Sequence, residues 1–149
     1  MEINGKDAYF LAVKALICNK DKLLITHDIF DCYDIPGGRI KKEEFNKPLQ
    51  EVLMRKIKEE LGEKIKYEIA ENPSIFFTVE RKERLETGEE MPVRIFGLGF
   101  IVNYINGEVE LGKHHNRYEW VDIDTYEPEK YFVGGWEKGI REFITKKLR

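Results

Sequence analysis

Residues 37–62 read Gly37-Gly38-Arg39-Ile40-Lys41-Lys42-Glu43-Glu44-Phe45-Asn46-Lys47-Pro48-Leu49-Gln50-Glu51-Val52-Leu53-Met54-Arg55-Lys56-Ile57-Lys58-Glu59-Glu60-Leu61-Gly62, and the fold turns on this stretch. Its second half has helical spacing. Leu49, Val52, Leu53, Ile57 and Leu61 recur at three- and four-residue intervals, which puts them on one buried face. Pro48 suits the first turn, where a missing N–H costs nothing, and Gly62 suits the stop. Ahead of the helix, Tyr33-Asp34-Ile35-Pro36-Gly37-Gly38 is expected to end a strand and begin a loop, because proline lacks a donor and paired glycines bend tightly.

Two adjacent carboxylates on a helix diverge by about 100° around its axis, so Glu59 and Glu60 are expected on the solvent-open edge of the apolar face, beside the two glycines. Together they present several hard oxygens of the kind magnesium prefers. A backbone carbonyl of Gly37 or Gly38 can approach the same ion. Arg55, four residues before Glu59, can hold that carboxylate in position. An ion so placed activates water and neutralises charge building on a diphosphate. The charges alone also describe a solvated face, with Glu51, Arg55 and Glu59 forming one i,i+4 ladder and Lys56 with Glu60 another.

In its order and spacing the stretch resembles the Nudix box, G-x5-E-x7-R-E-U-x-E-E-x-G-U, where U is a bulky aliphatic residue. Gly38 matches the opening glycine, Glu44 the first glutamate, Arg55 the arginine, Ile57 the aliphatic, and Glu59, Glu60 and Gly62 the closing run. Tyr118-Glu119-Trp120-Val121 is similar to the family's last core strand, so the resemblance covers most of the chain. It implies one α/β domain of the α+β kind over residues 1–149, a Nudix-type mixed β-sheet sandwiched between α-helices. It further implies a pyrophosphohydrolase, dependent on magnesium with manganese as a substitute, that cleaves the diphosphate linkage of a nucleoside diphosphate derivative. Gly37, Gly38, Glu59 and Glu60 would hold the metal, and Arg55, Glu59 and Glu60 would serve catalysis.

Three departures accompany the match. Ten residues separate Glu44 from Arg55 where the family has seven, which leaves Glu43 or Glu44 for the first glutamate's role. Glu63 takes the final aliphatic position, with Ile65 nearby to replace the apolar contact. Lys56 stands where the family has a glutamate, and a lysine offers no acceptor oxygen. It either weakens the metal site, contacts substrate phosphate, or screens Glu60. The competing class is a noncatalytic Nudix-fold module that binds a nucleotide or a protein partner.

Outward from the box, 10–18 and 23–27 read as an antiparallel strand pair across the Asn19-Lys20-Asp21-Lys22 turn. Residues 74–79, 93–105 and 118–123 read as further strands, with a mobile polar loop expected around 86–90 and a turn at Asn106-Gly107. Trp136, Ile140, Phe143, Ile144 and Leu148 mark a closing amphipathic helix. Strands, one helix, more strands and a last helix suit a mixed sheet rather than a doubly wound parallel one.

Between Gly112 and Arg117, where related enzymes often carry a glutamate as general base, His114 or His115 is the candidate, since imidazole titrates near neutrality. Arg39 and Lys56 are candidates for substrate phosphate; Tyr33 and Phe77, with Phe76, are candidates for stacking. A net charge of -3 gives no general reason to bind nucleic acid or an anionic membrane. No apolar run approaches the roughly 18 residues of a membrane span, and the first seven residues lack signal-peptide order, so a cytoplasmic location is expected. Cys18 and Cys32 read as free thiols, and a homodimer is left open.

Overall fold

The computed structural model describes residues 2–148. In chain order the strands are β1 (Glu2–Ile3), β2 (Lys6–Asp7), β3 (Tyr9–Asn19), β4 (Lys22–Asp28), β5 (Tyr33–Asp34) and β6 (Gly37–Arg39), followed by helix α1 (Leu49–Leu61). Then come β7 (Lys66–Ile69), β8 (Ile75–Arg84), β9 (Glu90–Asn106), β10 (His115–Asp122) and helix α2 (Gly134–Lys147). Eight strands form one mixed sheet in the order β10-β4-β3-β9-β7, with β5 beside β4, β6 beside β3 and β8 beside β9. The β3–β9 pair is parallel and the other pairs are antiparallel.

Strand β3 is central, and its residues 12–18 are all buried because both faces of the sheet are covered. Alternation sends Val13, Ala15 and Ile17 to a core with Val52, Leu53, Ile57 and Leu61 of α1. It sends Ala12, Leu16 and Cys18 to the opposite core with Phe77, Ile140 and Phe143, against α2. The mixed sheet between helices expected from the sequence is therefore the architecture. Gly62 ends α1 at φ 89°, which glycine takes without strain, while Pro48 sits one position ahead of the first turn.

Two expectations are corrected. Gly37 and Gly38 are not in a loop. Strands β3 and β4 pair only at their hairpin end, Cys18 with Leu23 and Asn19 with Lys22, and then diverge. Residues 33–39 fill the gap, with Lys14 opposite Gly37 and Ala15 N–H donating to Pro36 O at 2.8 Å. The polar loop expected around 86–90 is the turn of a hairpin, since β8 and β9 stay paired out to Arg84 and Glu90, and Leu85 N–H donates to Glu89 O. Leu49 is only half-buried, and Leu148 at the end of α2 is exposed. Strand β7, absent from the elements expected above, pairs with the far end of β9. Cys18 and Cys32 are both free. Among the described residues no helix is long and apolar enough to cross a membrane.

Candidate functional site

Helix phase brings Arg55, Lys56, Glu59 and Glu60 to the end of α1 that faces β6. Arg55 makes two hydrogen bonds to Glu44, Nε to Oε2 at 2.6 Å and Nη2 to Oε1 at 2.7 Å, and a third from Nη1 to Glu59 Oε1 at 2.9 Å. Glu44 is 3% exposed and also accepts from Lys41 N–H at 3.0 Å, so it anchors the lengthened connection to the helix. The Arg55 hydrogen bonds hold its carboxyl down at about 2. Of the two sequence candidates, Glu44 is thus the one that reaches the arginine.

Glu60 was expected on an open edge, yet it is 8% exposed. Its Oε2 accepts from Gly37 N–H at 3.1 Å, because β6 lies directly against the helix end. Burial raises its pKa, with the Asp34 charge adding to the rise and Lys14, the Gly37 N–H and His115 opposing it. Glu59 is the exposed member of the pair; partial desolvation raises its pKa, but Arg55 and Lys56 outweigh this and hold it low.

Lys56 lies among these groups. Its Nζ is 3.5 Å from Glu59 Oε2 and 3.9 Å from Glu60 Oε1. Its chain packs over Gly38, where an added Cβ would collide with Lys56 Cε and stand 2.8 Å from Nζ. Every carboxylate oxygen of Glu44, Glu59 and Glu60 consequently faces a cation or an N–H group. Among the described residues no group of three or more His, Cys, Asp or Glu side chains is placed to hold a metal ion. The residues as arranged do not fit a divalent ion, because an ammonium occupies the corner between the carboxylates and Gly38.

On the other side of β6 is a set of residues that sequence reading missed. Lys14, 5% exposed, donates from Nζ to Asp34 Oδ1 at 3.0 Å and to Ile35 O at 3.1 Å, and the ammonium stands 4.9 Å over the Trp136 ring. The signal was present: a lysine in the middle of an apolar central strand has to be paired. Asp34 is opposed by its own desolvation but held low by Lys14 and His115.

Of the two histidines, His114 is exposed. His115 is the buried one, with Nε2 3.9 Å from Asp34 Oδ2 and Nδ1 without a hydrogen-bond partner. Its contact with Asp34 raises its pKa, and the Glu60 and Asp34 charges add to this against desolvation.

Lys14, Tyr33, Asp34, Tyr131, Phe132 and Trp136 line a cavity of about 1540 Å³ between the sheet and the start of α2. Tyr33 packs edge-on against Tyr131 at 5.0 Å, and Arg117 Nη2 donates to its hydroxyl at 3.0 Å. Phe77 is fully buried against Trp136, within the core, so it offers no face for stacking. Phe76 is on the opposite face of β8, beside Phe96. Arg39 is engaged by Glu83 and by the Phe10 ring, 4.5 Å from the guanidinium carbon, and is not directed at the carboxylates.

No protein-family model and no curated protein matches the chain. Solved structures do. The MutT protein from Methanosarcina mazei Go1 is 19% identical with a TM-score of 0.69, over 97% of this chain and 99% of that one. An ADP-ribose pyrophosphatase from Streptococcus suis 89-1591 is 14% identical with a TM-score of 0.65, over 95% and 94%. The MutT Nudix hydrolase from Burkholderia pseudomallei is 16% identical with a TM-score of 0.63, over 91% and 98%. Identities this low speak to architecture, and the structural likeness covers nearly the whole of each chain. The fold of this protein is that of the Nudix hydrolases.

Proposed function

We propose that this chain binds a nucleoside diphosphate derivative in the cavity and holds it without turnover, as a binding module on a pyrophosphohydrolase fold. The observation that carries this reading is that each carboxylate oxygen of Glu44, Glu59 and Glu60 already faces Arg55, Lys56 or a backbone N–H group. A volume of about 1540 Å³ is large for a lone phosphate and ample for a nucleotide derivative. Tyr33, Tyr131 and Trp136 offer aromatic faces to the base. Lys14 in the cavity lining offers a positive charge to the diphosphate, and its charge also reaches Glu60, which leads from the cavity toward Lys56.

Hydrolysis of the diphosphate linkage is the second reading. It is favoured by Glu60, whose burial keeps its pKa up in the manner of a general base. The names of structural relatives, an ADP-ribose pyrophosphatase and an Ap4A hydrolase, point to the same substrate class. In that reading Arg55 orients Glu59, the buried imidazole is that of His115, and a magnesium or manganese requirement goes with Lys56 leaving the carboxylates. A screen of nucleoside diphosphate derivatives, with and without magnesium, decides between the two. Binding detected by quenching of tryptophan fluorescence with no phosphate-bearing product supports the module; magnesium-dependent release of two products would overturn it.

A further inference from the structure

The carboxylates at the end of α1 already have a cation. The Lys56 ammonium is in ion-pair range of both Glu59 and Glu60, and the bare backbone of Gly38 leaves the room it fills. The other oxygen of each carboxylate is taken, by Arg55 for Glu59 and by Gly37 N–H for Glu60. We propose that Lys56 is the resident cation of this site, standing in for a divalent ion, and that its ammonium meets the diphosphate of the ligand directly. The diphosphate half of this statement rests on the function proposed above; the exclusion of a metal does not.

The exclusion follows from space and charge. An ion about 2.1 Å from Glu59 Oε2 and Glu60 Oε1 would stand no more than about 6 Å from Lys56 Nζ. Like charges at that separation, beside a buried carboxylate, repel strongly, so the ion and the ammonium compete for one place. The ammonium is also free to engage a ligand. Its separation of 3.9 Å from Glu60 is beyond hydrogen-bond distance, and lysine carries three rotatable donors on a flexible stem. Phosphate oxygens can take those donors while the carboxylates keep the ammonium aimed.

The test begins with ligand-free protein titrated with Mn2+ and followed by electron paramagnetic resonance. Lys56→Glu and Lys56→Met are expected to bind the ion at least about tenfold more tightly than the parent, since each removes the competing charge. Parent affinity within about twofold of the Lys56→Glu variant overturns the proposal. Gly38→Ala keeps the ammonium but pushes it off its place, so it too should gain Mn2+ affinity; no gain counts against the assignment. Circular dichroism checks that each variant is folded.

In the second arm ADP is titrated by tryptophan fluorescence with EDTA or with magnesium. Equal affinity in the two buffers, and at least about a tenfold loss in Lys56→Met, is expected. Binding that requires magnesium overturns the proposal. An absence of ADP binding by every variant, with the Mn2+ pattern as expected, would refute the proposed ligand and the diphosphate half while supporting the resident cation.

Discussion

Arg55 and Lys56 are neighbours on one helix, yet the corners they occupy are built differently. Arg55 closes short, two-point contacts on a carboxylate almost removed from solvent, and Glu44 cannot leave without stranding either charge. Lys56 stands at 3.5 and 3.9 Å from its two carboxylates with no close hydrogen bond. The facing glycines divide in the same way. Gly37 has a φ of 141°, and a Cβ there would strike the Val13 carbonyl oxygen of β3. At Gly38 the obstacle is only the end of the Lys56 side chain. A single motif thus contains a rigid corner that shapes the fold and a loose corner that can exchange partners.

The rigid corner should fail first. Gly37→Ala combines a left-handed backbone with a clash against main chain, and a loss of about 3 kcal/mol or more in thermal or denaturant unfolding is expected. A loss below about 1 kcal/mol would mean that β6 can move away from β3. Arg55→Ala leaves Glu44 buried without its partner and should cost about 2–4 kcal/mol. If it proves as mild as an exposed helix substitution, the contrast between the two corners collapses.

Acid tests the same pair. The Glu44 carboxyl is held below its unfolded value of 4.5, so its contribution is present above that value and is lost as pH falls from 4.5 through about 2. Glu44→Gln should flatten that part of the stability-versus-pH curve. An unchanged slope would assign the acid sensitivity to other carboxylates.

The smallest effect is expected at the loose corner. Gly38→Ala meets only a flexible side chain, so its change in stability should stay within about 1 kcal/mol. Heavy destabilisation there would show that Lys56 is wedged rather than loosely held, and the two corners would no longer differ.

Much of this was legible in the chain. Helix α1, its apolar face, its stop at Gly62 and the Arg55–Glu59 pair all depend on residues within a few positions of one another, so periodicity and spacing decide them. The long strands followed from their apolar runs and turns. The histidine choice did not follow. Adjacent residues on an extended segment point apart, and only the pairing of β10 with β4 determines that His115 turns inward while His114 faces solvent. For Phe77, alternation on β8 left open which face is core, and α2 settled it by packing there.

Spacing and periodicity along the chain encode the helix with its ordered charges and the outline of a mixed sheet. The electrostatic character of the site came with the packing: the burial of Glu60 against Gly37 N–H, the pairing of Lys14 with Asp34, and the seating of Lys56 over Gly38. The physical reason is the range of the contacts. Lys14 and Asp34 are 20 residues apart and Gly37 and Glu60 are 23 apart, and they meet only because β3 and β4 diverge and the intervening segment folds into the gap. Burial and charge then depend on which distant backbone closes over each group, and local spacing does not encode that.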